Sequence, residues 1–359
     1  MTEFEIKQSQ LQALLQRHNL DGLLLQKVSS FAWATCGAAS YVNTATTNGA
    51  GSLLVLRGGS RHLVTNSIEA PRFEQEEGLA AQGWQFAVNP WHTPAGHLER
   101  LTAGLRLGAD GITPGAADLS GEMTRLRMNL QPVEVERFRA LGQLCGQALG
   151  AAAQAVRPGM TEMEIAARMQ LEAQSRGAQP VVVLVATDER IFRFRHPLPT
   201  GKKMEKYAML VMCARRQGLV ASLTRLVHFG ALPDDVRRKM QAVARVDAAA
   251  IRATRPGRML KEIFGEIQQA YAAVGFADEW QLHHQGGPTG YEPREVTVNP
   301  ATGETVAAGQ VYAWNPSITG SKSEDSVLIT PQGFEVLTAT PGWPLIEVDG
   351  VQRPAILEK

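Results

Sequence analysis

Between Leu282 and Thr338 the chain gathers side chains able to move a proton or hold a charged ligand. His283-His284 precede Gln285-Gly286-Gly287-Pro288-Thr289-Gly290, followed by Arg294-Glu295, Trp314-Asn315-Pro316 and Ser323-Glu324-Asp325. A third histidine stands upstream in Phe194-Arg195-His196-Pro197. A neutral imidazole, with an ordinary pKa of about 6.5, can take a proton from water and return it to a leaving nitrogen at neutral pH. Glycines let a backbone approach a ligand closely. Adjacent residues on a strand face opposite sides, so one of His283 and His284 is expected to point inward. Asn315 can donate to a developing oxyanion or accept an N–H, and Glu324 can orient a water or meet a cationic group.

What is missing matters as much. From Lys206 to Arg225 there is no Asp or Glu. Two divalent cations held side by side need several anionic oxygens to offset their repulsion and lost hydration, so this stretch cannot help to hold them. Cys213 sits in the apolar run Ala208-Met209-Leu210-Val211-Met212 and reads as a buried, inert thiol rather than an activated nucleophile. The basic set Arg193, Arg195, Lys202, Lys203 and Lys206 reads as a solvated loop.

The elements that must position these residues follow from periodicity. An amphipathic helix over about Glu5 to Arg17 leads into an apolar strand at 21–25, then a hairpin pairing 52–56 with 61–64 around Arg57-Gly58-Gly59-Ser60. Helical stretches at 68–77 and 117–127 flank short strands at 84–88 and 105–109. A long helix over 132–156 stops at Arg157-Pro158-Gly159. Thr161 and Glu164 then form a capping box. Strands are expected at 181–185, 207–213 and 219–229, and helices at 233–252 and 260–274. This order predicts a smaller α/β domain over residues 1–130 and an α+β domain over 131–359, with one sheet covered on one side.

Composition bounds the function classes. The chain has 359 residues, 44% hydrophobic and 20% charged, and a formal net charge of +1. That is enough for two full cores and gives no electrostatic reason to expect nucleic acid or an anionic membrane as partner. No apolar run reaches spanning length, and Met1 to Gln10 is polar and unlike a signal segment, so the cytoplasm is the expected location. Three widely spaced cysteines encode neither a disulfide framework nor a thiolate zinc site.

The order of long helix, Pro158-Gly159-Met160-Thr161-Glu162 turn, strand ending in Leu223-Thr224-Arg225, Gly-rich histidine segment, Asn315-Pro316 strand and Glu324-Asp325 strand resembles the M24 metallopeptidase and creatinase superfamily, which includes aminopeptidase P and prolidase. The resemblance covers nearly the whole chain. It implies a pita-bread fold for the C-terminal half, a small-molecule substrate and a homodimer. It also implies a ligand set that this chain has mostly replaced. The two aspartate positions fall at Ser222 and at Val211 or Cys213, the metal histidine at Gly287, the "HE" pair at Arg294-Glu295 and the "EP" glutamate at Asn315. Only the final glutamate is kept, as Glu324. A two-metal site is therefore not expected, nor any cofactor; a single weak cation at Glu324 with His283 or His284 is the residual metal alternative.

Carried over by position, His196 matches a substrate-facing histidine, which in creatinase serves as acid and base. The expected reading is a metal-independent hydrolase of a C–N bond in a small polar substrate. His196 and Glu324 would act at the reacting centre, with Asn315, His283, His284, Arg225, Ser222 and Glu295 contacting substrate. For Arg225 a structural role is the simpler view, and Glu295 is expected to pair with Arg294 or Arg225. The alternatives are an inactive binding protein of the same fold and an ordinary Xaa-Pro peptidase with bound metal. Phe31-Ala32-Trp33-Ala34 and Tyr41-Val42-Asn43 match an aromatic strand and turn that in creatinase-like dimers reach toward the partner's pocket.

Overall fold

The computed structural model describes residues 1–93 and 96–359, which divide into two compact units, Met1–Arg127 and Met128–Lys359. In the first unit, α1 (Glu3–Arg17) begins two residues earlier than its apolar periodicity suggests. The reason is a capping box: Thr2 Oγ1 accepts from the Glu5 amide, and Glu5 returns the bond to the Thr2 amide. The chain then runs through β1 (Gly22–Lys27), α2 (Val28–Ala34), β2 (Asn48–Leu56), β3 (Arg61–Asn66), α3 (Ala70–Gln75), β4 (Gln85–Asn89), α4 (His97–Thr102), β5 (Leu107–Ala109), β6 (Ala116–Asp118) and α5 (Ser120–Met128). Its strands form one mixed sheet in the order β4-β3-β2-β1-β5-β6. The aromatic segment expected as a strand is the helix α2. Phe31 and Trp33 are buried, with the Phe31 ring 5.5 Å from Phe73, so these aromatics serve as core.

The second unit opens with α6 (Pro132–Ala155) and α7 (Glu162–Gln174), whose start carries the predicted Thr161–Glu164 capping box. Then follow β7 (Gln179–Thr187), β8 (Tyr207–Arg216), β9 (Leu219–His228), α8 (Asp234–Ala253) and α9 (Leu260–Ala273). The C-terminal strands are β10 (Gly286–Thr289), β11 (Val311–Trp314), β12 (Ser317–Ile318), β13 (Ser321–Lys322), β14 (Asp325–Thr330), β15 (Gly333–Val336), β16 (Leu345–Val348), β17 (Val351–Pro354) and β18 (Ile356–Glu358).

Two four-stranded sheets result, β18-β9-β8-β7 and β10-β11-β14-β15, where the sequence suggested one. The difference lies in β8 and β9. Their nearly continuous apolar runs are buried along almost their whole length, which marks strands covered on both faces. Helices α6 and α7 pack against β7, β8 and β9. Met209, Val211 and Leu226 join a separate apolar cluster with α8, α9 and residues of β11 and β14. Helix α6 comes close to the Leu337–Thr340 segment along Gly142, Gly146 and Gly150; a Cβ at Gly146 would lie 2.3 Å from the Ala339 carbonyl oxygen.

Candidate active site

A cavity of about 310 Å³ opens between β7, β8 and the Gly-rich C-terminal segments. Its polar lining is His196, His284, Arg294, Asn315, Lys322 and Glu324, with Cys213, Val211 and Leu184 among the apolar wall. A larger cavity of about 430 Å³, around Arg252, Arg255 and Asp349, shares no residue with it.

His196 is held by a loop that leaves β7 through a short 3-10 turn at Asp188–Arg190 and returns to β8. Two carboxylates pin that loop at its base. Buried Glu162 accepts from the amides of Thr187 and Thr200, at 2.8 and 2.9 Å, and pairs with Arg190. Asp188 accepts from the amides of Glu205, Lys206 and Tyr207, at 2.8 to 2.9 Å. Arg195, next to the histidine, is tied to Glu279 and Thr319. The expected loose basic loop is thus a braced one, and Lys202 is paired with Asp188 and Glu189.

His283 and His284 do not lie on a strand. They follow the turn Glu279–Leu282, and His283 is where β10 has not yet begun. Strand alternation does not apply there, and both rings meet His196, although His284, and not His283, is the one that lines the cavity. His283 Nε2 is 2.9 Å from His196 Nε2, and the His283 and His284 rings stack at 4.5 Å. Gln285 fixes this corner: its amide donates to the carbonyls of Trp280 and His283, and its Oε1 accepts from Tyr271. Its own carbonyl accepts from the Asn315 amide at 3.0 Å.

A 2.9 Å contact between two imidazole nitrogens requires one N–H and one bare lone pair. At most one of the two rings is therefore protonated, and because burial lowers both pKa values below the ordinary 6.5, both are neutral at pH 7. Burial lowers the His283 pKa far below its ordinary range, helped by Lys322 and by the neighbouring histidines. His284 is lowered to about 4 by burial, then by Arg294 and Lys322. His196 is lowered less, by desolvation and Lys322, with Glu324 opposing. The Nδ1 atoms of His283 and His284 and the Oδ1 of Asn315 are buried without a hydrogen-bond partner.

Glu324 is the other centre. It is 1% exposed, and its carboxylate accepts from Arg294 Nη2 at 2.7 Å and Thr224 Oγ1 at 2.6 Å, with Lys322 Nζ at 3.0 Å. Burial alone would raise its pKa; Lys322, Arg294 and the Thr224 hydroxyl outweigh this and bring it to about 2. The retained glutamate is therefore a charged anchor for two cations rather than a proton carrier. A cation bound there would have to displace an ammonium and a guanidinium, which counts against the weak-cation alternative at this residue.

The remaining predicted contacts are elsewhere. Ser222 is fully buried, donating to Cys213 Sγ at 3.2 Å and accepting from Arg294. Burial raises the Cys213 pKa, so its sulfur is a thiol. Arg225 lies behind the cavity, bonded to Asp325, Thr340 and Thr338 and stacked near Trp343, which is the structural role. Glu295 accepts from the Tyr291 amide at 2.9 Å and does not line the cavity; Arg294 turns to Glu324 instead. Gly287, at the metal-histidine position, has φ +151°, and a Cβ there would meet the Val296 carbonyl oxygen at 2.3 Å. No side chain fits at that point without moving the backbone.

Arg294 and Lys322 are the site residues that the sequence reading left out. Their signal was present: a basic residue stands at the "HE" position, and Lys322 is two residues before the retained acid. Arg294 was read as the partner of Glu295.

Residues 136–331 match metallopeptidase family M24. The chain belongs to that family, a family of peptidase-type hydrolases. An uncharacterized peptidase of Staphylococcus aureus (strain MW2) is 21% identical over 263 residues, 71% of this chain and 73% of the relative. A prolidase from Pyrococcus horikoshii OT3 superposes with a TM-score of 0.79 at 19% identity, over 93% of this chain and 98% of the prolidase. An Xaa-Pro dipeptidase from Bacillus anthracis does so with 0.78 at 18%, over 99% and 100%. The fold is thus the α+β, pita-bread architecture with an N-terminal α/β domain. The family name implies metal, but this donor set does not fit a carboxylate-bridged pair. Among the described residues Glu324 is the only carboxylate lining the cavity, and both of its oxygens are engaged by side chains. Among the described residues the one cluster able to hold an ion is His196, His283 and His284, whose donor atoms lie within 4.8 Å of one another.

Proposed function

We propose that this M24 protein hydrolyses a C–N bond of a small polar substrate without a metal pair, with His196 as general acid and base. The observation carrying this reading is the neutral His196–His283 pair, 2.9 Å apart at a cavity whose only carboxylate is already neutralised. In this scheme one bare ring nitrogen of the pair takes a proton from water as the water oxygen attacks the substrate carbon. The negative charge that develops on the substrate oxygen is met by the side-chain N–H of Asn315, which lines the cavity. The proton then returns to the departing nitrogen, and the C–N bond breaks. His283 and Gln285 serve as positioning residues for the imidazole, and Glu324 for the two cations.

The test is a panel of small amides, ureas and guanidino compounds offered to chelator-treated protein. Turnover should survive chelation and fall about 100-fold or more in His196→Ala, with a thermal midpoint near that of the parent. Full turnover by His196→Ala on an identified substrate ends this proposal.

A second reading rests on the same three rings. Imidazoles within 4.8 Å of one another are a donor set for one borderline ion such as zinc. The positive field of Lys322 and Arg294, which already suppresses protonation of the histidines, opposes a dication equally. Stoichiometric transition metal in protein purified without chelator would favour this second reading over the first.

A further inference from the structure

The cavity carries more positive charge than its own acid balances. Two cationic side chains line it, Arg294 and Lys322, against the single carboxylate of Glu324, and the three histidines, their pKa values lowered chiefly by burial, carry no charge at pH 7. Neither cation spends all of its donors on that carboxylate. Arg294 Nε is buried and has no hydrogen-bond partner, and Glu324 is the one described partner of the Lys322 ammonium, itself only 4% exposed. A buried charge with unused donors is costly unless a ligand completes it. Across the same space, Asn315 Oδ1 is an unpartnered acceptor on a residue 2% exposed.

We infer that Lys322 and Arg294 form an anion subsite, and that the ligand class is a small monoanionic carboxylate bearing an N–H group received by Asn315 Oδ1. A monoanion matches the one surplus positive charge, whereas a phosphate dianion overcompensates it. The inference rests on the reading of this cavity as the substrate site, but not on turnover. The pair of side-chain cations, anchored on the retained glutamate, then does in this chain an electrostatic task that elsewhere falls to bound ions.

Calorimetric titration of the full chain with N-acetylglycine, its neutral amide, acetate and inorganic phosphate decides it. N-acetylglycine should bind about tenfold or more tightly than N-acetylglycinamide, and more tightly than acetate or phosphate, with affinity falling as salt is raised. Lys322→Met should erase the acid-over-amide preference, Arg294→Lys should largely keep it, and Asn315→Leu should erase only the advantage over acetate. Equal binding of acid and amide, or no binding of any probe, overturns the inference, as does a preference that survives in Lys322→Met. If Lys322→Met does not fold, the probe series and its salt dependence on the parent still decide. Selective carboxylate binding by a protein that turns over nothing would uphold this subsite and sink the hydrolase reading. Efficient hydrolysis of substrates lacking an anionic group would do the reverse.

Discussion

Glu324 and Asp325 are neighbours in sequence and enter two polar networks of opposite design. Asp325 joins Arg225, Arg353 and Asp247, with ion pairs of 2.7 to 3.0 Å, and two arginines balance two aspartates. Thr338 and Ser323 hydroxyls add hydrogen bonds, and apart from Asp247 Oδ1 the carboxylate oxygens have partners. Glu324 joins Arg294 and Lys322, where two cations share one acid and several polar atoms are left without partners beside a cavity. Strand alternation separates the two: Thr224 reaches Glu324 while Arg225, next to it on β9, reaches Asp325. A balanced network holds a fold together; an unbalanced one beside open space is prepared to receive a ligand.

The largest effect should come from opening the balanced side. Arg353→Met removes the guanidinium shared by Asp247 and Asp325 and leaves two buried carboxylates facing each other with half their compensation. A loss of about 3–5 kcal/mol is expected in urea unfolding, while the ring resonances of His196 and His284 stay in place. If the denaturation midpoint did not move, the assignment of this network to stability would fail.

Acid separates the two networks next. His284 has a folded pKa of about 4 against an ordinary 6.5, so below pH 6.5 the unfolded chain binds the extra proton and stability falls as pH drops toward 4. Discounted for partial exposure, this ring accounts for roughly 2 kcal/mol. Glu324 adds a second loss between its ordinary 4.5 and about 2. Asp247 runs the other way: burial raises its folded pKa, so its contribution is retained at low pH and lost as pH rises through the folded value. Urea midpoints followed from pH 7 to 4 should therefore decline, and His284→Asn should flatten that decline. A midpoint constant over this range would show that the cavity rings are not held neutral.

The contrast also explains what could be read from the sequence. Elements with strong periodicity or explicit caps, such as α6 and the Thr161–Glu164 box, were legible because their determinants are local. The absence of metal-binding acids on β8 and β9 was legible too, since it needs no alignment. The second sheet and the helix at Val28–Ala34 were not, because short buried apolar segments do not declare their period. Glu324 was found, but its pairing with Arg294 was not. Arg294 was given to adjacent Glu295, yet the pairing that forms spans 30 residues. One of the two adjacent histidines was expected to face inward and His284 lines the cavity, but the reason is a corner built by Gln285 and Tyr271 rather than strand alternation.

The finest test alters the charge on the cavity side alone. Lys322 is among the causes that lower the pKa of His196, His283 and His284, and Glu324 is the opposing influence on His196 and His284. Lys322→Met removes a positive charge while Arg294 still holds Glu324, so the carboxylate acts on the rings with less opposition. The His196 and His284 pKa values should rise, each by less than about one unit because desolvation, the leading cause for both, is unchanged. NMR titration of the imidazole carbon-bound protons reads this directly, and the same variant should leave the Arg225–Asp325 network, and the unfolding that depends on it, close to the parent. A fall in either ring's pKa would mean that Lys322 does not face the histidines, and the surplus charge that distinguishes the cavity from the balanced network would have to be placed elsewhere.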